Sequence, residues 1–149
     1  MNIYEHYSKI VIKLILKNKK FLSIKETNNF QGVSFESPPD GFDSDLSTNI
    51  CLILSKLNKL NPKDLSSKVK KIIYDETKEF LDIAVAGPGF LNFKLSNDSL
   101  KSIIIKIFNS KAKYGSVKEN KKYNIEFVSA NPTGPMHVGH CRGAIYGDV

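Results

Sequence analysis

The 149-residue sequence predicts an α+β domain, an antiparallel sheet packed against helices, followed by the truncated opening of an α/β domain. Three observations predict it. Apolar residues recur at helical spacing near both ends of the first hundred residues. Residues 81–95 alternate apolar and polar on either side of Gly87-Pro88-Gly89, as two paired strands do. After the charged, apolar-poor stretch 117–122, the chain changes to strand, turn-rich loop and helix start, which is half of a βαβ unit. The boundaries expected are therefore residues 1–116 for the first domain, 117–122 for a linker and 123–149 for the start of the second.

Taken in order, residues 3–20 read as an amphipathic helix with Ile3, Tyr7, Ile10, Val11 and Leu14 on one face. Lys9, Lys13, Lys17 and Lys20 form a stripe on another face, either solvated surface or a surface for phosphates. Val33 to Glu36 can form a short strand. The two prolines and the glycine of SPPDGFDSD then make residues 37–45 a loop. Asp45 or Ser47 can cap a helix through Leu57, with Ile50, Leu54 and Leu57 apolar. Asn61-Pro62 starts another helix, with proline at a tolerated first-turn position, running to about Thr77.

Strands follow at Leu81–Ala86 and Phe90–Leu95, with Leu81, Ile83 and Val85 on the apolar face. Asn97 or Asp98 caps a last helix bearing Leu100, Ile103, Ile104, Ile107 and Phe108, which ends near Gly115. Tyr123 to Val128 reads as a buried strand. SANPTGP is a loop, and a helix opens at about His137.

Composition excludes several classes. Hydrophobic residues at 41% and charged residues at 25% describe a globular chain, not a disordered or fibrous one. The longest apolar stretch, IVIKLIL, is broken by Lys13 and falls far short of the roughly 20 residues that cross a bilayer. Glu5 and His6 sit where a secretory signal would be basic and then apolar. Two cysteines, Cys51 and Cys141, do not make a disulfide scaffold and fit a reducing cytoplasm. The net charge of +7 comes almost wholly from lysine, Arg142 being the sole arginine, and a lysine-, isoleucine- and asparagine-rich composition is also what an AT-biased genome gives. The charge is compatible with an anionic partner without requiring one.

The segment that carries chemistry is NIEFVSANPTGPMHVGHCRGAIYGD, residues 124–148. A strand would deliver Glu126 and the following loop to the carboxyl end of a sheet, where open α/β folds bind ligands. The loop leads to His137-Val138-Gly139-His140 at a helix N-terminus, where unpaired amides and the helix dipole favour a phosphate. Histidines three apart can face one ligand, and Gly139 between them leaves room for close approach. The same His-x-x-His could instead ligate a metal or lie idle on the surface. Cys141 could suggest zinc, but no second cysteine or carboxylate stands nearby at ligand spacing.

With its full context of Glu-Phe-Val-Ser-Ala-Asn-Pro-Thr-Gly-Pro, then His-Val-Gly-His and Arg142-Gly143, this segment resembles the class I aminoacyl-tRNA synthetases. Within that class it is most similar to the arginyl-tRNA synthetase family. Upstream, DGFDSDLSTN and VAGPGFLNFKL resemble that family's N-terminal accessory domain, so the resemblance spans most of the chain and is weakest over residues 15–35.

The resemblance implies a Rossmann-like catalytic domain beginning at residue 123. His137, Gly139 and His140 would cradle ATP, with both histidines stabilising the transition state at the α-phosphate. Glu126, Ser129, Asn131 and His137 would bind L-arginine, and it stays open which end of arginine Glu126 meets. Phe90 and Asn92 would contact the D-loop of tRNA(Arg). Each has a plainer alternative: Glu126 as a helix-capping acid, Phe90 as a core side chain, Arg142 as a structural residue or a phosphate contact. Magnesium would arrive with ATP, with no protein metal site. The implied function is arginine–tRNA ligation in translation, in a cytoplasmic monomer free of membranes. The family's second nucleotide signature, its anticodon-binding domain and the rest of the arginine pocket are not in these residues. The chain is thus expected to be an N-terminal fragment inactive alone. A free-standing tRNA- or RNA-binding module is the alternative, and the Glu126–Asn131 loop argues against a non-synthetase nucleotidyltransferase.

Overall fold

The computed structural model describes residues 2–116, 122, 124, 128 and 133–148. It divides into two units, Met1–Ser116 and Val117–Val149. In the first, α1 (Ile3–Lys17) is capped by Asn2, whose side chain accepts from the Tyr4 and Glu5 amides. It buries Tyr7, Val11 and Ile15 at four-residue spacing. The helix stops three residues earlier than its periodicity suggests. Asn18 turns its side-chain amide back to Leu14 O at 3.0 Å and across to Glu76 at 2.8 Å, which terminates the helix and leaves Lys20 outside the stripe.

Next come β1 (Phe35–Glu36) and β2 (Leu46–Thr48), then α2 (Ile50–Asn58). Neither Asp45 nor Ser47 caps α2. The Asp45 carboxylate instead accepts from Leu95 N at 2.7 Å, and its own amide donates to Phe93 O at 2.8 Å. Ser47 pairs with Asn92. Long-range strand pairing outcompetes a local cap for both residues. The helix α3 (Pro62–Glu76) starts where the sequence places it, with Asn61 accepting from Lys63 N and Asp64 N.

The strands β3 (Phe80–Ala86) and β4 (Phe90–Leu95) complete an antiparallel four-stranded sheet of order β1-β2-β4-β3. Its register breaks between Phe80 and Asp82, leaving Leu81 as the extra residue of a bulge. The inward residues of β3 are therefore Phe80 and Ile83, and Leu81 is 62% exposed rather than on the apolar face.

One face of the sheet, carrying Leu91, Phe93 and Leu95 with Ile83 and Leu46, packs on α1, α2 and α3. Phe93 is central: its ring lies 4.6 Å from Phe80, which in turn meets Tyr7 at 5.5 Å. The other face points away from that core.

Helix α4 (Asn97–Ser110) is capped by Ser96, one residue before the two expected caps. Only its start is seated, through buried Ser99 and Ile103. Ile104 at 64% and Phe108 at 79% exposure remain outside the core, with Leu100 and Ile107 partly so. In the second unit the described helix is α5 (Val138–Asp148). The strand expected at Tyr123–Val128 falls largely outside the described residues. No helix among the described residues is long and apolar enough to cross a membrane.

Candidate functional site

Strand pairing builds the first site. Glu36 lies opposite Ser47, Ser47 opposite Asn92, and Asn92 opposite Ala84, so these four make one row across the sheet on the face away from the core. One step along, Phe90 pairs with Ala86. The loop residues Pro39 and Phe42 on one side, with Gly87-Pro88 on the other, wall this floor into a cavity of about 350 Å³. The loop is tied down by the Asp45 hydrogen bonds and by an ion pair between Lys94 and Asp43. Hydrogen bonding to Asp43 raises the Lys94 pKa, against the smaller opposing effect of desolvation.

Asn92 is the unusual member. It is only 2% exposed, yet its Oδ1 has no hydrogen-bond partner among the described residues. Buried polar atoms are nearly always paired, so this unpaired oxygen, on a residue that lines the cavity, is an exception among the described residues. Phe90, half-buried, offers a ring at the same floor. The sequence singled out both residues, and the structure brings them together. It adds Phe42, a residue of the 37–45 loop that is 52% exposed and lines the same cavity. An exposed phenylalanine in a Pro-Pro-Asp-Gly loop was the available signal. A cavity lined by an amide side chain and two aromatic side chains has the chemistry to hold a flat heterocycle with a hydrogen-bonding edge.

The second site lies in the other unit. His137 precedes α5, and its ring stacks on His140 at 3.9 Å with planes 29° apart. His137 Nδ1 accepts from Gly139 N at 3.1 Å, and His140 Nδ1 lies 3.4 Å from His137 N in the acceptor role. A neutral imidazole that accepts at Nδ1 carries its proton on Nε2. Both rings thus present an Nε2–H donor beside Thr133, Gly134 and Pro135, which line a cavity of about 290 Å³. A Cβ on Gly139 would stand 3.0 Å from the exposed His137 ring, so a side chain there would crowd that ring. Glu126, Ser129 and Asn131 lie outside the described residues. Cys141 is exposed and free.

By fold, the first unit is an α+β domain with one sheet face packed under helices and a walled cavity on the other. The chain belongs to the Arginyl tRNA synthetase N terminal domain family, which matches residues 6–95. It is 45% identical over 151 residues to an arginine–tRNA ligase of Pelagibacter ubique, covering all of this chain and 26% of that protein. It is 52% identical over 122 residues to an arginine–tRNA ligase of Ehrlichia ruminantium, covering 78% of this chain and 20% of that protein. Among solved structures, Thermus thermophilus arginyl-tRNA synthetase aligns with 99% of this chain and 22% of its own, at 15% identity and a TM-score of 0.48. The chain spans about a fifth to a quarter of the length of the curated relatives it matches.

Proposed function

We propose that this chain is the N-terminal portion of an arginine–tRNA ligase. Residues 1–116 would be its tRNA-directed accessory domain and residues 123–149 the opening of a Rossmann-like catalytic domain. The observation that carries the reading is the joint presence of the matched N-terminal domain and a His137–His140 pair opening a helix with two Nε2–H donors.

In the reaction, a carboxylate oxygen of L-arginine attacks the α-phosphorus of ATP and the bond to pyrophosphate breaks. A ribose hydroxyl of the terminal adenosine of tRNA(Arg) then takes the arginyl group, and AMP leaves. The two Nε2–H groups would donate to α-phosphate oxygens as their charge grows, stabilisation that strengthens in the transition state. Glu126, Ser129 and Asn131 would hold arginine, a carboxylate suiting its cationic groups. Magnesium would come with ATP, and no side chain here is assigned to it. In the accessory domain, the Asn92 side chain would read the edge of a splayed D-loop base whose face lies against Phe90. The setting is translation in the cytoplasm.

ATP–pyrophosphate exchange by the full-length protein in the presence of tRNA(Arg), with each amino acid in turn, tests the reading. Arginine-dependent exchange that falls at least about a hundredfold on His140→Ala is expected. Exchange indifferent to arginine would overturn it.

A further inference from the structure

The row Glu36–Ser47–Asn92 grades from exposed to buried. Glu36 stands exposed on the edge strand β1, whereas Ser47 and Asn92 on the inner strands are buried. Its neighbour fixes the side of the sheet that Glu36 occupies. Phe35 stacks on the core residue Phe93, with ring centres 6.5 Å and planes 13° apart, so Glu36 belongs to the opposite face. There it lines the same cavity as Phe42, Phe90 and Asn92.

Glu36 is the one charged residue among those lining this cavity. Among the described residues it has no ion-pair partner, and Lys94, two residues beyond Asn92 on β4, is paired with Asp43. An uncompensated carboxylate repels a phosphate and leaves a neutral heterocycle as the favoured occupant. It also divides the heterocycles among themselves, because an ionised carboxylate only accepts hydrogen bonds. Adenine, cytosine and guanine carry an exocyclic amino group that can donate to it, the pairing by which acidic side chains read cytosine N4. Uracil has carbonyl oxygens instead, which set acceptor against acceptor. The backbones of β1 and β4 lie two strand spacings apart, roughly 9–10 Å. The Asn92 amide and the Glu36 carboxylate can therefore meet different groups of one base.

We propose that Glu36 is the base-selecting residue of this cavity, accepting a hydrogen bond from an exocyclic amino group and excluding uracil. The inference rests on the tRNA-directed reading of the cavity and names the class of base that reading leaves open. The Asn92 amide offers both a donor and an acceptor, so it adapts to any base laid against Phe90. The carboxylate at the sheet edge, which offers acceptors alone, decides which base is held.

Binding of tRNA(Arg) transcripts to the 149-residue chain tests it, with each unpaired D-loop base changed in turn to the other three. Circular dichroism checks that each protein variant folds. The base in the cavity is the one whose change weakens wild-type binding and no longer matters in Asn92→Val. At that position the wild type should bind an amino-bearing base about tenfold or more tighter than uracil, the worth of a hydrogen bond to a charged group. Glu36→Gln keeps the shape and can donate to a carbonyl as well as accept, so it should bring uracil level with the amino-bearing bases. If Glu36→Gln keeps the wild-type preference, or tightens every transcript equally, the assignment is overturned while the Asn92 cavity reading stands. A wild type that prefers uracil at the Asn92-coupled position overturns it as well. If no D-loop change is sensed through Asn92, the tRNA reading of the cavity falls and the assignment falls with it.

Discussion

Replacing Asn92 with valine should make the protein more stable and less able to hold its partner. The Asn92 amide is buried in the middle of β4 with Oδ1 unpaired, and a buried, unsatisfied polar group costs about 1–3 kcal/mol. Valine removes that cost, is close in size and suits a strand centre, where β-branched residues are favoured by up to about 1 kcal/mol. No hydrogen bond to Oδ1 is lost in exchange, because no described residue bonds to that oxygen. A gain of about 1–3 kcal/mol raises the melting temperature of a domain this size by roughly 4–12 °C. Thermal unfolding followed by circular dichroism reads the shift, and tRNA binding on the same samples reads the loss. A valine variant that melts below the wild type would refute the reasoning, because the amide would then be holding the sheet together and not waiting for a ligand.

The remaining predictions concern the supports around that cavity and the ends of the core. Gly89 has φ +146°, and a Cβ there would press on Pro62, so Gly89→Ala should destabilise the domain by about 1–3 kcal/mol in chemical denaturation, where a neutral effect would show that the hairpin is not clamped to α3. Hydrogen bonds first from Lys17 and then from Asn18 hold the Glu76 carboxyl below its ordinary pKa of 4.5. A depressed carboxylate stabilises the fold above that value and loses its contribution as the pH falls through the folded-state pKa, so Glu76→Gln should flatten the acid limb of a stability–pH curve and leave its alkaline limb unchanged. Burial pushes the Cys51 thiol up to about 12 against a lesser opposing hydrogen bond from Ser66, whereas Cys141 is exposed. A thiol reagent at neutral pH should therefore label one cysteine in the folded protein and both in denaturant; rapid labelling of two under native conditions would contradict the buried placement.

Several elements were readable from local pattern because local physics forms them. The four-residue spacing of Tyr7, Val11 and Ile15 gives a helix one buried stripe, and Asn61-Pro62 supplies both a cap and a fitting first residue. Gly87-Pro88-Gly89 between two alternating runs reads as a hairpin because its glycines adopt φ of +54° and +146°. The His137–His140 spacing likewise carries its own geometry, since ring stacking and both amide contacts lie within one turn.

What the alternation of β3 could not reveal is the bulge at Leu81, which exists only in register with β4 and turns that leucine outward. Nor could it reveal that Asp45 would satisfy the edge of a strand fifty residues away instead of capping the next helix. The apolar positions of α4 predicted a packed helix, but spacing says nothing of whether a surface is present to receive it, and only Ser99 and Ile103 found one. The sequence by itself determined the α+β class of the first unit, the helices and the Asn61 cap, because periodicity and capping act within a few residues, although the caps of α2 and α4 fell elsewhere than local pattern placed them. The tertiary structure alone decided that Glu36, Ser47 and Asn92 share one row, that Phe42 lines the same cavity and that Asn92 Oδ1 has no partner among the described residues. Those facts depend on the register of strands far apart in the chain, and a slip of a single residue would turn every one of those side chains to the other face.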